Sequence, residues 1–127
     1  MSLQYTVSRD GRRIDTYPKG LLDINTAIKY FDKLKNDNRI KPGATEIVHF
    51  KYVTDFKISY SESKMIVRNF QEPKALLHIE TTIFVCESSI AFGIGRMLKT
   101  LNEVINPRSE IILVRSEHEL EEIIRNT

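Results

Sequence analysis

The chain is short of cysteine, of net charge and of long apolar runs, and each shortage closes off a class of protein. Cys86 is the one cysteine in 127 residues. That rules out a disulfide within the chain and any cysteine-rich zinc site, and nothing calls for an oxidising compartment. Lysine and arginine total 19 against 17 aspartates and glutamates, a net charge of +2. Such an excess is too small to argue for a nucleic-acid or acidic-membrane partner. No run of about 18 apolar residues is present to span a bilayer, and Met1 to Arg13 is polar rather than charged and then apolar as an export sequence would be. The expectation is a cytoplasmic protein with no membrane span. No repeat, linker or low-complexity stretch divides the chain, and its length suits a single domain, 1–127, around one core.

What is present is a regular alternation of strand and helix patterns. Asp10-Gly11 lies between two short strand-like stretches, Gln4–Ser8 and Arg13–Tyr17, and predicts an opening hairpin. Asp23 is placed to cap a helix whose apolar positions Ile24, Ala27, Ile28, Phe31 and Leu34 follow helical spacing. Thr45–Val53 reads as a strand, followed by a loop to Ser59. Ser59 and Glu62 have capping-box spacing and open a second helix to about Gln71. Leu76–Val85 is the longest strand pattern and leads to Ser88-Ser89, either of which can cap a long helix. The apolar residues of that helix, Ile90, Ile94, Met97, Leu98, Leu101 and Ile105, recur at steps of three and four until Asn106-Pro107. Ile111–Val114 is a short apolar strand, and Ser116 with Glu119 opens a terminal helix carrying Leu120, Ile123 and Ile124.

This order predicts an α/β fold: about five strands in a mainly parallel sheet, an N-terminal hairpin, and four helices chiefly on one face. Alternation sharpens the expectation. Val48, Phe50 and Tyr52 oppose His49 and Lys51, while Leu77, Ile79, Ile83 and Val85 oppose His78, Glu80 and Thr82. One sheet face should therefore take the helices. The other should be polar and open apart from Ile47, Leu76 and Phe84 and available to a ligand, and either this face or the exposed side of the helix bearing Gly93 and Gly95 should offer apolar area to a symmetric partner.

The element order and three local strings resemble the STAS fold, the domain of anti-sigma-factor antagonists, in particular its uncharacterised bacterial STAS/SEC14-like branch. The strings are Asp37 to Gly43 with the strand after it and Val53-Thr54-Asp55, the helical run Phe92 to Met97, and the closing strand and helix from Ile111 to Ile124. The resemblance implies a noncatalytic regulatory or protein-interaction module. It also aligns Ser59 with the serine that such antagonists carry as phosphoacceptor, although Lys57 replaces an acidic residue and Tyr60 a glycine. The SEC14-like label supplies an alternative, a small apolar-ligand or lipid-binding protein.

The remaining chemistry-bearing residues have ordinary readings that outweigh special ones. Gly93 and Gly95 lie inside a helix, not at the strand-to-helix turn of a dinucleotide fingerprint. His49, His78 and Glu80 would have to converge to hold a metal, and solvated sheet residues are the expected reading. His118 is expected to be exposed, Cys86 to be a small core residue, and Arg9, Arg12 and Arg13 to be a solvated turn. No catalytic group, metal or cofactor is assigned. Ligands of open α/β sheets bind outside the carboxyl ends of the strands. A site for a small apolar or anionic ligand would therefore lie among Phe56, Ser59, Glu87 and Ser88, extending to Phe92 and Arg96. The partners expected are another protein or a second copy of the chain.

Overall fold

Gly11 shows how tightly the opening hairpin is built into the rest. The computed structural model describes residues 3–69, 79–105 and 109–126. In it β1 (Leu3–Val7) and β2 (Arg13–Pro18) pair antiparallel. The turn is longer than a two-residue hairpin loop, and only Gly11 takes a positive φ, of 75°. Asp10 closes the turn with its carboxylate, accepting from the Ser8 hydroxyl at 2.7 Å and the Arg12 amide at 3.1 Å. A Cβ on Gly11 would run into the Arg39 carbonyl oxygen, so glycine is required both by φ and by the chain passing beside it.

β2, β4 (Ala44–His49), β6 (Ile79–Val85) and β7 (Glu110–Val114) are parallel neighbours, and with β1 they form a five-stranded mixed sheet in the order β1-β2-β4-β6-β7. A second ribbon lies outside the expectation. After Pro18 the chain continues as β3 (Gly20–Asp23), and after a 3-10 turn at Phe50–Tyr52 β4 continues as β5 (Val53–Lys57). β3 and β5 pair in parallel. The single strand expected over Thr45–Val53 is thus two strands broken by a turn. Phe50 and Tyr52 belong to that turn and not to an alternating face.

The helices begin where their caps place them. Asp23 accepts from the Thr26 amide at 2.9 Å and starts α1 (Ile24–Lys35). The Ser88 hydroxyl accepts from the Ala91 amide at 3.1 Å and starts α3 (Ser89–Ile105), which settles the cap on Ser88. α2 (Tyr60–Asn69) follows Ser59. α4 (Glu117–Arg125) follows Ser116, which accepts from the Glu119 amide at 3.1 Å, while the Glu119 carboxylate reaches back to the Arg115 amide at 2.9 Å. The end of the second helix expected at Gln71, and Leu76, Leu77 and His78, fall outside the described residues.

Three helices, α1, α2 and α3, cover one face around a core that includes Ile14, Phe31, Val48, Phe50, Ile66, Phe84 and Leu98. The other face is not open as expected. α4 lies on it and closes a second core of Ile47, Ile83, Val85, Val114 and Leu120. Ile47 is buried there, and Phe84 points into the three-helix layer. Ile83 and Val85 likewise take the face opposite to the one their alternation with Ile79 implied. A bulge explains the inversion: Ala44 pairs with Ile79 but Thr45 pairs with Thr81, so Glu80 is an extra residue and every later side chain of β6 switches face.

Gly93 and Gly95 separate cleanly in this packing. A Cβ on Gly95 would lie 3.0 Å from Leu113 Cδ2 and 3.1 Å from Cys86 Sγ, whereas one on Gly93 meets nothing within 4 Å. Gly93→Ala should therefore stabilise the fold by up to about 1 kcal/mol through helix propensity. Gly95→Val should destabilise it by about 1–3 kcal/mol through overpacking. Urea unfolding of the two variants checks both signs.

Candidate functional site

Strand β4 carries two buried ionisable side chains, one to each layer. Glu46 points toward α1, and its carboxylate accepts from the Tyr30 hydroxyl and, at 2.9 Å, from the Thr82 hydroxyl. Tyr30 donates its single proton to Glu46, so Thr16, 2.6 Å away, donates to the Tyr30 oxygen. Glu46, Tyr30, Thr16 and Thr82 come from β4, α1, β2 and β6, and all are buried. Burial pushes the Glu46 carboxyl above the ordinary carboxylate range, and the two hydroxyl donors offset this only in part. Burial likewise pushes the Tyr30 hydroxyl well above its usual value, reinforced by the neighbouring Glu46 charge. This network lines one side of a partly open core cavity of about 70 Å³, which Leu22, Phe31, Val48, Phe50, Phe84 and Leu98 also line.

His49 points the other way, toward α4. Asp15 pairs with Ile47 across the β2–β4 ladder, which puts Asp15 and His49 on the same face as diagonal neighbours. His49 Nε2 lies 3.0 Å from Asp15 Oδ1 and Nδ1 lies 3.2 Å from Glu117 Oε1. The Tyr17 ring stacks on the imidazole at a centroid distance of 4.6 Å and 11° between planes. Arg13 grips the far side of Asp15 through Nε at 2.8 Å and Nη2 at 3.1 Å. Burial opposes charge on His49, but the two carboxylates outweigh it and raise its pKa above 6.5. For Asp15, burial is outweighed by the hydrogen bonds from His49 and Arg13, and its pKa falls. The expectation of a solvated His49 is corrected: it is 4% exposed and bridges β2 to the first turn of α4. With both nitrogens committed, it is a clamp and not a free base.

The six side chains proposed from sequence are spread over different duties. Phe56 packs on Phe50 with ring centroids 5.6 Å apart. Ser59 and Glu62 form both halves of the capping box, the Glu62 amide donating to Ser59 Oγ at 3.1 Å and the Ser59 amide to Glu62 Oε1 at 2.9 Å. Ser88 caps α3, and Glu87 beside it is exposed. Phe92 carries the Arg115 guanidinium 3.7 Å above its ring centroid. Arg96 is exposed seven residues into α3, about 10 Å down the axis from the first turn. Phe56, Ser59, Glu87 and Ser88 lie at or just beyond the carboxyl ends of β5 and β6. Arg96 does not share that edge.

Sequence reasoning missed the Asp15–His49–Glu117 clamp and the Glu46 network. No local spacing could have found them, because each joins three or more elements. Cys86 is wholly buried, and burial pushes its thiol up to about 12. His118 is exposed and pairs with Glu122 at 3.0 Å one turn on. Among the described residues no group of three histidine, cysteine, aspartate or glutamate side chains is arranged to hold a metal ion, and no helix is long and apolar enough to cross a membrane.

No protein-family model matches the sequence, and no curated protein matches it. Solved structures do match over nearly the whole chain. The anti-sigma factor antagonist SpoIIAA in its unphosphorylated form aligns with 99% of this chain and 100% of its own, at 17% identity and a TM-score of 0.52. The phosphorylated form of the Bacillus cell fate determinant SpoIIAA covers 96% of this chain and 99% of its own, at 15% identity and a TM-score of 0.51. An uncharacterised protein of Shewanella loihica with a SpoIIAA-like fold gives 8% identity, 95% and 90% coverage and a TM-score of 0.57. The chain therefore has the SpoIIAA-like, or STAS, fold.

The clamp makes stability depend on pH in a definite direction. His49 has a raised folded pKa, so its contribution is complete below about pH 6.5 and is lost as pH rises through that pKa. Glu46 also has a raised folded pKa, so ionising it costs stability as pH rises from the ordinary carboxylate range through that pKa. Urea unfolding between pH 5.5 and 9 should show stability falling toward alkaline pH. His49→Gln should make that decline shallower, and an unchanged slope would contradict the assignment.

Proposed function

We propose that this STAS-fold chain is a noncatalytic regulatory module of the bacterial cytoplasm, acting by binding another protein at the surface around the amino end of α2. The exposed cluster there carries the reading. Ser59, Tyr60 and Ser61 all face solvent, with Tyr60 57% exposed. An exposed aromatic side chain beside a polar helix end fits the composition of a protein-binding surface. The antagonist with the same fold has been solved in unphosphorylated and phosphorylated forms.

In this reading Ser59 serves as a helix cap and not as a phosphorylation switch. Its hydroxyl is engaged by the Glu62 amide, and Lys57 and Tyr60 replace the acidic and small neighbours of the family's phosphoacceptor. A small-ligand role draws support from the cavity beside Glu46. At about 70 Å³ it has roughly half the volume of an engineered cavity that holds benzene, about 150 Å³. It fits a molecule of a few heavy atoms and no acyl chain. Native mass spectrometry of the purified protein separates the two readings, since only the second calls for a copurified small molecule.

Ser59→Ala should lower stability by about 1 kcal/mol and Ser59→Asp should restore most of it, because aspartate also caps. Phosphopeptide mapping that finds Ser59 modified at high occupancy in native cells would overturn the cap reading. A photocrosslinking amino acid at position 60 should trap a discrete protein that the same probe at Arg9, on the hairpin turn, does not. Equal trapping at both positions would sink the proposed surface.

A further inference from the structure

Helix α3 buries one apolar side and carries further apolar residues on its outer side. Ala91, Gly95, Leu98 and Asn102 are buried against the sheet. The outer side presents Ile90, Gly93, Thr100 and Val104, all exposed, and between them the half-buried Met97, whose sulfur also lies 3.8 Å from the Ser63 hydroxyl of α2; none of the five is charged. Ile90 is 68% and Val104 79% exposed, the most exposed large apolar side chains among the described residues. A surface helix ordinarily turns polar residues to water. The intervals along this face are three, four, three and four, the seam spacing of a helix pair. Gly93 sits within the seam with nothing within 4 Å of where a Cβ would stand, so nothing in the chain's own packing uses its missing side chain.

We infer that the seam takes α3 of a second copy, running antiparallel about a two-fold axis. The charges on its flank select this occupant. Arg96 and Glu103 lie one heptad apart on the same edge of the seam, both are exposed, and neither has an ion-pair partner among the described residues. In an antiparallel pair with Met97 against Thr100 of the second copy, Gly93 meets Val104 of the second copy. That register brings Arg96 of each copy opposite Glu103 of the other, twice by symmetry. A parallel pair would leave both charges unmatched. The small side chains of Gly93 and Thr100 let the two helices approach closely beside the larger Val104 and Met97. This surface is separate from that around Ser59, and its failure would leave the reading of Ser59 standing.

Sedimentation equilibrium of the full chain tests it. The expected result is a reversible dimer in the micromolar range, and monomer mass throughout that range overturns the inference. Arg96→Glu and Glu103→Arg should each weaken dimerisation about tenfold or more by setting like charges face to face. The double variant R96E/E103R should return to within about threefold of the parent, since the swap restores both pairs. Single variants that leave the dimer unchanged, or a double variant no better than either single, overturn the antiparallel register. Gly93→Glu, which meets open space within its own chain, should keep the circular dichroism spectrum of the parent and be monomeric. A dimeric Gly93→Glu would overturn the seam.

Discussion

The rest of the structure depends on what β4 demands. Within four residues it sends Glu46 into the three-helix layer and His49 into the single-helix layer, both almost wholly removed from water. A buried ionisable group without partners is costly, and one with partners ties together whatever supplies them. Glu46 binds hydroxyls from α1 and β6, and through Tyr30 it reaches Thr16 on β2. His49 binds carboxylates from β2 and α4. The two sites share no partner side chain, yet both require β2 beside β4, so the parallel ladder between those strands is held from above and below.

This arrangement also determines where function can sit. Both faces of the central strands are occupied, one by three helices and one by α4, and the ionisable groups inside are committed to one another. The carboxyl edge around Ser59 and the outer faces of the helices remain accessible. The β3–β5 ribbon contributes to that edge by carrying the chain of β4 out of the main sheet and delivering Ser59 to the surface.

α3 shows one helix meeting two requirements. Its inner side needs Gly95 to approach Leu113 and Cys86, and its outer side leaves Ile90 and Val104 in water. Two glycines two residues apart therefore have unlike reasons. One is explained by packing within the chain, and the other is not.

The sequence by itself determined the elements whose signals are local. Asp23, Ser59, Ser116 and one of the pair Ser88-Ser89 cap helices because a cap acts on amides two or three residues away, and Asp10-Gly11 turns a hairpin for an equally local reason. Element order then carried the mainly parallel sheet and its four helices. Tertiary structure alone decided which way side chains face. The extra residue at Glu80 reverses the faces of Ile83, Phe84 and Val85, and the turn at Phe50–Tyr52 splits what reads as one strand. The partners of His49 lie 34 residues before it and 68 after it, and those of Glu46 come from α1 and β6. Such contacts depend on register between strands, which one inserted residue shifts for every position beyond it, so no window of neighbouring residues contains them.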